Sequence, residues 1–225
     1  MPTPLTIAVV LSGCGHLDGA EITESVSVLI HLSRLGARAA CFAPEAPVDE
    51  INHTTGAPTG STRSALAEAA RIARGNVSPL ASLRAADFDA VIFPGGFGAA
   101  KTLCTFATRG PDCAVHPDAA RVISEFHSAG KPIGLCCIAP VLAAKVLGAA
   151  GRGPGVSVTL GNDPAVAAAI AAMGATHINK PVTEAHTDTA RKVVTTPAYM
   201  YDATPNEVFE GTARMVESVL AFCSR

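Results

Sequence analysis

Short apolar runs that alternate with helical segments limit the folds open to this chain more than any other feature of its sequence. Runs of aliphatic and β-branched residues, each long enough for a buried strand, occur at positions 5–11, 39–43, 88–93, 133–136, 156–160 and 192–196. Segments with helical spacing separate them, at 18–36, 62–75, 118–130, 163–173 and 206–223, with another beginning at Pro140. Strands that are apolar throughout and joined by helices are typical of a parallel sheet covered on both faces. We therefore predict an α/β fold with one doubly wound, mostly parallel sheet, formed by residues 1–225 as a single domain.

The composition argues against several classes of function. The 225 residues carry a net charge of −2 without a run of Lys and Arg, so nothing favours binding to nucleic acid or to a membrane surface. No apolar run approaches the ~20 residues that span a bilayer. The first residues lead directly into a strand pattern, so we expect no signal peptide and a cytoplasmic location. An organellar location stays open in case a transit peptide was removed before this numbering begins.

The seven cysteines indicate a reducing compartment. Their number is odd, and their spacing fits no zinc-binding pattern. The one close pair, Cys136 and Cys137, consists of sequence neighbours, whose disulfide ring would be strained. We therefore expect free thiols and no metal.

The segment 131–140 predicts a reactive cysteine on a tight turn. An apolar strand ends at Cys136, Cys137 follows it, and Pro140 begins a helical pattern. Pro suits a first helical turn because its missing N–H would have no partner there. The Cys137 thiol would then lie above the sheet edge beside a helix N-terminus, which favours the thiolate, as in a nucleophile elbow. The alternative is a small apolar residue packed behind the strand, since free cysteines are often buried.

A second loop with polar residues follows the first predicted strand, and we expect it at the same sheet edge as Cys137. It holds Cys14 and His16 and leads into a helix that begins with Glu21 and Glu24. The helical phase places Glu24 close to the buried side, which indicates a carboxylate that exchanges a proton with the thiol. For Glu21 we favour a solvated acid that the helix dipole stabilises.

A glycine-rich loop follows the third clear strand. Gly95 and Gly96 allow backbone N–H groups to approach a ligand closely. The N–H of Gly96 and that of Ile138 would together form an oxyanion hole. The spacing of these glycines does not match a dinucleotide fingerprint, so no nucleotide cofactor is predicted. The alternative is an ordinary tight turn.

Two of the seven histidines are candidate auxiliary residues. His16 lies in the first of these loops, from which it could reach the cleft. His53 lies in the polar segment 44–61, which is longer than an ordinary connection. This segment would either cover the site or build an oligomer interface, and the sequence does not distinguish these roles.

Motifs along nearly the whole chain resemble those of an ElbB-like protein in the PfpI branch of the class I glutamine-amidotransferase-like superfamily. The most specific are Pro94-Gly-Gly-Phe-Gly-Ala-Ala-Lys101 and Cys137-Ile-Ala-Pro140. The others read Leu11-Ser-Gly-Cys-Gly15, Asp18-Gly-Ala-Glu-Ile-Thr-Glu24, Ile51-Asn-His53, Glu68-Ala-Ala-Arg71 and Val194-Thr-Thr-Pro-Ala-Tyr-Met200.

This resemblance implies a flavodoxin-like fold, a homodimer, and a cofactor-independent glyoxalase activity on methylglyoxal or glyoxal. It places the reactive cysteine of the superfamily at Cys137, its acid at Glu24, and its oxyanion donors at Gly96 and Ile138. Many relatives carry a histidine in the loop after the next strand, where this chain has Gly161. That departure argues against amidotransferase or protease chemistry, because both need a base to activate the thiol.

The resulting hypothesis is a glyoxalase that acts on a small 2-oxoaldehyde without a cofactor. Cys137 attacks the aldehyde, Glu24 moves a proton between the adjacent carbons, and the thioester is hydrolysed to a 2-hydroxy acid. A second hypothesis is a redox-sensing or carbonyl-binding protein with little turnover, in which Cys14 resolves an oxidised Cys137. A metal site formed by Cys14, His16 and Cys137 has too few ligands to be favoured.

Overall fold

The computed structural model describes residues 3–223, which form an α/β fold. The strands are β1 Thr6–Val10, β2 Arg38–Ala43, β3 Pro47–Asn52, β4 Ala57–Ser64, β5 Val77–Pro79, β6 Ala90–Phe93, β7 Ile133–Cys136, β8 Ser157–Val158, β9 Thr176–His177, β10 His186–Asp188 and β11 Val193–Thr196. The α-helices are α1 Ile22–Arg34, α2 Ala65–Ile72, α3 Phe97–Lys101, α4 Phe106–Arg109, α5 Pro117–Ser128, α6 Pro140–Leu147, α7 Pro164–Ala172 and α8 Pro205–Cys223.

Seven of these strands form the central sheet, in the order β10-β11-β7-β6-β1-β2-β5. Every neighbouring pair in this sheet is parallel except β10 and β11. One core layer contains residues of α1, α2 and α8, and the other contains residues of α3, α5, α6 and α7. The predicted doubly wound, mostly parallel sheet is therefore confirmed.

The strand order brings four loops to one edge of the sheet. Strands β11, β7, β6 and β1 lie side by side and run in the same direction. Their carboxyl ends therefore share one edge, where parallel α/β sheets hold their ligand sites. The loops that leave this edge contain residues 11–21, 94–96, 137–139 and 197–201.

Several helices begin as the sequence predicts. Pro140 occupies the first turn of α6, as predicted, and α5 begins at Pro117, one residue before the predicted start. Asp163 caps α7 by accepting a hydrogen bond of 2.7 Å from the N–H of Ala165. None of the helices within residues 3–223 combines the length and the apolar character that crossing a bilayer requires.

The polar segment 44–61 differs from the expected irregular connection. Strands β3 and β4 pair as an antiparallel hairpin that continues to Ser64. Residues 62–64, predicted as the start of a helix, therefore belong to β4. The sequence also fails to predict β5, β9 and β10, because two or three residues are too few to show a period. The predicted strand 156–160 is reduced to β8, which pairs with β9 outside the central sheet.

Helix α1 turns its apolar stripe outward. Ile22, Val26 and Ile30 are 49%, 38% and 42% exposed, although their spacing forms one face of the helix. The side of α1 that packs inward carries Glu24, the apolar residues Val28 and Leu32, and several small or polar residues. The inward side of this helix therefore holds the fully buried carboxyl group.

Candidate active site

Cys137 occupies a strained turn between β7 and α6. Its φ angle of +57° lies in the left-handed region, which costs a residue with a side chain about 1 kcal/mol or more. The N–H of Cys137 donates to the carbonyl of Thr196 at 2.9 Å, and the N–H of Ala139 donates to the carbonyl of Cys136 at 2.9 Å. These bonds hold the predicted elbow in place and direct the thiol toward the sheet edge.

Glu24 reaches the same point from α1. Its side chain is completely buried, and its carboxyl group is hydrogen-bonded to the Cys137 thiol. Oε2 accepts a hydrogen bond of 2.8 Å from the N–H of Gly95, and Oε1 accepts one of 3.5 Å from the N–H of Tyr199. The structure thus brings together the predicted nucleophile and the predicted acid, and backbone donors from two loops fix the acid.

Two glycines make this close approach possible. A Cβ atom at Gly95 would lie 2.5 Å from Cβ of Cys137 and 2.7 Å from Oε2 of Glu24. Gly96 has a φ angle of +92°, and a Cβ atom there would clash with the backbone of Gly19 and Glu21. The sequence 95–96 therefore needs glycine for steric reasons.

The two predicted oxyanion donors surround the sulfur itself. The backbone N–H groups of Gly96 and Ile138 both donate hydrogen bonds to Cys137. In this geometry they stabilise negative charge on sulfur. They are also close enough to the thiol to serve an oxygen atom bonded to a carbon that the sulfur attacks.

The protonation of this pair differs from the expectation for a helix N-terminus. Burial, and then the Glu24 carboxylate, raise the pKa of Cys137 well above its usual value, against the lowering effect of the Gly96 and Ile138 donors. Burial and the nearby Glu21 carboxylate raise the pKa of Glu24 to about 8. The expected net preference for a resting thiolate is therefore wrong. The two groups interact directly, so they titrate as a pair.

A cavity of about 280 Å³ opens onto the thiol. One part of its wall is formed by His16, Glu21, Gly96 and Phe97, and the other by Cys137, Ile138, Tyr199 and Met200. A larger surface cleft of about 530 Å³ between α1 and α8 contains no cysteine in its lining. The cavity at the elbow is therefore the candidate site.

His16 and His53 meet at the edge of this site. The two rings pack edge to face with their centroids 5.1 Å apart. Nδ1 of His53 lies 3.0 Å from the carbonyl of Ile51, while Nε2 accepts a hydrogen bond of 3.3 Å from the N–H of Leu17. The hairpin β3–β4 thus supports the loop that carries His16, and His53 does not itself line the cavity.

A buried carboxylate anchors the hairpin to the same loop. Asp18 is 4% exposed and pairs with Arg63 at 2.7 Å. The same oxygen accepts a hydrogen bond of 2.9 Å from the N–H of Ile51. Arg63 also pairs with Glu68 at 3.1 Å, which extends the network to α2. Asp18, Ile51 and Glu68 lie in the motifs that carry the family resemblance, but Arg63 does not. Their pairing depends on the hairpin, which local patterns do not predict.

Cys14 faces this charged network instead of the cavity. Burial and the Glu68 carboxylate raise its pKa, while Arg71 and Arg63 lower it. It is half-buried and does not line the cavity, whereas His16 and Cys137 do. Within residues 3–223 no three His, Cys, Asp or Glu side chains are grouped as metal ligands.

Gly161 lies behind one wall of the cavity. A Cβ atom at this position would meet Cβ of Met200 at 3.4 Å and the ring of Tyr201 at 3.3 Å. Met200, and not a histidine, therefore lines this side of the site. His16 reaches the cavity from the opposite loop, but the structure gives no hydrogen bond between it and Cys137.

Phe97, Tyr199 and Met200 line the cavity, although the sequence predicts no role for them. Glu21, which we predict to be a solvated acid, also lines the cavity. Phe97 directly follows the glycine pair, and Tyr199 and Met200 follow β11, a neighbour of the elbow strand. Their position after strands at the same sheet edge is the signal that could identify them.

No protein-family model matches the chain. Two curated mitochondrial proteins are similar along most of its length. The human glutamine amidotransferase-like class 1 domain-containing protein 3 is 52% identical over 232 residues, with 98% of this chain and 84% of the human protein covered. The ES1 protein homolog of Rattus norvegicus is 52% identical over 225 residues, with 95% of this chain and 82% of the rat protein covered.

Solved structures show the same architecture. An isoprenoid biosynthesis protein with an amidotransferase-like domain from Ehrlichia chaffeensis is 33% identical, with a TM-score of 0.90 over 97% of this chain and 99% of that chain. A ThiJ/PfpI domain protein from Brachyspira murdochii shares the fold at 14% identity, with a TM-score of 0.59 over 98% of both chains.

Proposed function

This chain belongs to the family of the ES1 proteins and glutamine amidotransferase-like class 1 domain-containing proteins, and on that premise we propose that it is a cofactor-independent glyoxalase. It converts methylglyoxal or glyoxal to the corresponding 2-hydroxy acid. The observation that carries this proposal is the buried hydrogen bond between the Cys137 thiol and the Glu24 carboxyl group, with two backbone donors at the sulfur.

The reaction begins with attack of the Cys137 sulfur on the aldehyde carbon. Glu24 accepts the thiol proton as the C–S bond forms and passes it to the aldehyde oxygen, which gives a hemithioacetal and restores the carboxylate. The N–H groups of Gly96 and Ile138 stabilise the negative charge as it moves from sulfur to oxygen. This first step neither oxidises nor reduces the substrate.

Glu24 then moves a proton between the two substrate carbons. It removes the proton from the carbon bonded to sulfur, which gives an enediol, and a proton returns to the neighbouring carbon. The product of this step is a thioester of the 2-hydroxy acid. Water hydrolyses the C–S bond, which releases the acid and restores the thiol. A carboxyl group with a pKa of about 8 suits both directions of this transfer near neutral pH.

Amidotransferase chemistry is less well supported than this isomerisation. Hydrolysis of an amide needs an acid that protonates the leaving amine, usually a histidine beside the nucleophile. Met200 lines the cavity in front of Gly161, and no hydrogen bond joins His16 to Cys137. The 2-oxoaldehyde reaction has no leaving amine, so the Cys137–Glu24 pair is sufficient for it.

The comparisons also support proposals on kinship and location. The likeness to the Ehrlichia chaffeensis protein supports a place in the ElbB-like branch. The names of the human and rat relatives favour a mitochondrial location over the cytoplasmic location predicted from the sequence.

We further propose a homodimer, whose contact would use the exposed stripe of Ile22, Val26 and Ile30.

The direct test is an assay of the purified protein with methylglyoxal in the absence of glutathione, with the product identified chirally as lactate. We expect lactate to form in proportion to the methylglyoxal consumed. Loss of methylglyoxal through protein modification alone, without lactate, would contradict the proposal and favour a carbonyl-binding or redox role for the thiol.

A further inference from the structure

The cavity at Cys137 has an uneven distribution of charge. Among the described residues that line it, Glu21 is the acidic one and none is Lys or Arg. The Glu21 carboxylate is held at the start of α1, where it accepts from the N–H of Glu24 at 2.7 Å. Lys101 donates to the carbonyl of Leu17 at 3.0 Å, and its ammonium group lies 5.0 Å from the centre of the Phe97 ring. These contacts hold the ammonium group, and Lys101 is not among the residues that line the cavity.

The remaining wall is largely apolar and larger than the smallest 2-oxoaldehydes require. Phe97, Ile138, Tyr199 and Met200 contribute most of it, and Phe97 is 45% exposed. A cavity of roughly 150 Å³ is enough to hold benzene. The cavity here, at about 280 Å³, holds a phenyl-sized group in addition to two carbonyl carbons.

We propose that the site selects uncharged 2-oxoaldehydes with an apolar or aromatic substituent, and that Glu21 excludes anionic ones. This inference rests on the proposed glyoxalase function and specifies its substrate class. A carboxylate in the wall repels a second negative charge at short range, where the protein screens less than water does. The same repulsion acts on the 2-hydroxy acid, which is an anion at neutral pH, and so favours release of the product.

Glu21 is suited to this role because its side chain is fixed. Its Oε2 accepts a hydrogen bond of 2.7 Å from the N–H of Glu24, as the cap of α1. This hydrogen bond holds the carboxylate at the N-terminus of α1, in a residue that lines the cavity. A glutamine at this position keeps an acceptor for that N–H and removes only the charge, so the substitution Glu21→Gln isolates the electrostatic effect.

The test compares phenylglyoxal with 4-carboxyphenylglyoxal, which differ by one negative charge far from the reacting carbons. In the wild type we expect kcat/KM for phenylglyoxal to exceed that for the carboxylated compound by about tenfold. In Glu21→Gln this ratio should fall toward one.

The ratio is measured within each variant, so any general change in the reactivity of Glu24 cancels. Glu217→Gln, which removes an acid on α8 away from the cavity, should keep the wild-type ratio. Equal rates with both aldehydes, or an unchanged ratio in Glu21→Gln, would overturn the inference.

Two further measurements separate the selectivity of the cavity from the glyoxalase reaction. Phe97→Ala should lower kcat/KM for phenylglyoxal about tenfold more than it lowers kcat/KM for methylglyoxal, mainly by raising KM.

If neither aldehyde is turned over, the proposed function fails. The selectivity of the cavity is then measured from the protection of Cys137 against alkylation by iodoacetamide. Neutral 1-phenyl-1,2-ethanediol should then protect better than mandelate, and Glu21→Gln should remove the difference. Equal protection by the two compounds would overturn the inference in that case.

Discussion

The carboxyl group of Glu24 and the thiol of Cys137 form a hydrogen bond inside the protein, where burial raises the pKa of both groups, with further raising by the Glu21 carboxylate at Glu24 and by the Glu24 carboxylate at Cys137. They come from distant parts of the chain, α1 and the turn after β7, and the strand order makes them neighbours. A buried carboxyl group with a pKa near physiological pH is typical of functional sites, because folding alone does not require one.

Glu24 should make the stability of the protein depend on pH. Its carboxyl group has a pKa of 4.5 when free and about 8 in the fold, so the folded protein binds the proton more tightly. Its contribution to stability is complete below about pH 4.5 and is lost as the pH rises through about 8. Between these values the free energy of unfolding should fall by about 1.4 kcal/mol per pH unit.

Urea unfolding of the wild type and of Glu24→Gln across this range measures the effect. The difference in stability between the two proteins should change with pH, in favour of Glu24→Gln at pH 8. Glu210→Gln, on the exposed side of α8, should follow the wild type at every pH. A constant difference between wild type and Glu24→Gln would contradict the raised pKa.

Gly95→Ala should disrupt the site through its methyl group. The new Cβ atom would lie 2.5 Å from Cβ of Cys137 and 2.7 Å from Oε2 of Glu24, so one of these groups must move. We expect a loss of about 1–3 kcal/mol in stability and most of the activity. Gly36→Ala is the control without a clash, because a Cβ atom there meets nothing within 4 Å, although its φ angle of +76° adds a backbone cost that Gly95 does not have. It should cost about 1 kcal/mol and leave turnover intact, as thermal unfolding and kcat/KM will show.

The fold is predictable from the sequence where a local pattern specifies it. The apolar run before Cys137 and Pro140 after it indicate the strand, the turn and the helix, and helical phase places Glu24 on the buried side. The pairing of Asp18 with Arg63 has no such local signal, because it requires the hairpin β3–β4 to fold back over the first loop. The cavity wall at Tyr199 likewise depends on the position of β11 beside β7.

The orientation of α1 is also not predictable from its apolar spacing. The apolar spacing of Ile22, Val26 and Ile30 predicts a helix correctly but does not reveal that this face points outward. The opposite face is buried because it packs against α8 and carries Glu24 to the site. The inward face also carries the fully buried Val28 and Leu32, so the packing face has apolar residues of its own besides the exposed stripe.

Asp18→Asn should loosen the hairpin. The substitution removes the charge that pairs with Arg63 at 2.7 Å in a nearly buried setting, which we expect to cost about 2 kcal/mol. Hydrogen exchange should accelerate in residues 47–64 and in the loop that carries His16. Glu50→Gln is the control, since Glu50 lies 3.7 Å from Arg63 in a partly exposed position and should cost less than about 1 kcal/mol. Unchanged exchange in the hairpin of Asp18→Asn would show that Asp18 does not anchor it.

Val26→Glu should weaken self-association. A charge in the middle of the apolar stripe of α1 would have to be desolvated in the proposed dimer. Analytical ultracentrifugation should show a dimer for the wild type and a shift toward monomer for Val26→Glu, while Ser124→Glu on α5 remains dimeric. A monomeric wild type would refute the proposed homodimer, and a dimeric Val26→Glu would place its interface elsewhere.

The central claim is that the sulfur of Cys137 forms a covalent bond with the substrate, and its most direct test uses the adjacent cysteine as control. Lactate formation from methylglyoxal is measured for the wild type, Cys137→Ala and Cys136→Ala, with each protein shown to be folded. We predict that kcat/KM falls by about 1,000-fold or more in Cys137→Ala. In Cys136→Ala it should stay close to the wild-type value, because this buried thiol contacts Met215 and not the cavity. Full turnover by Cys137→Ala would contradict the account.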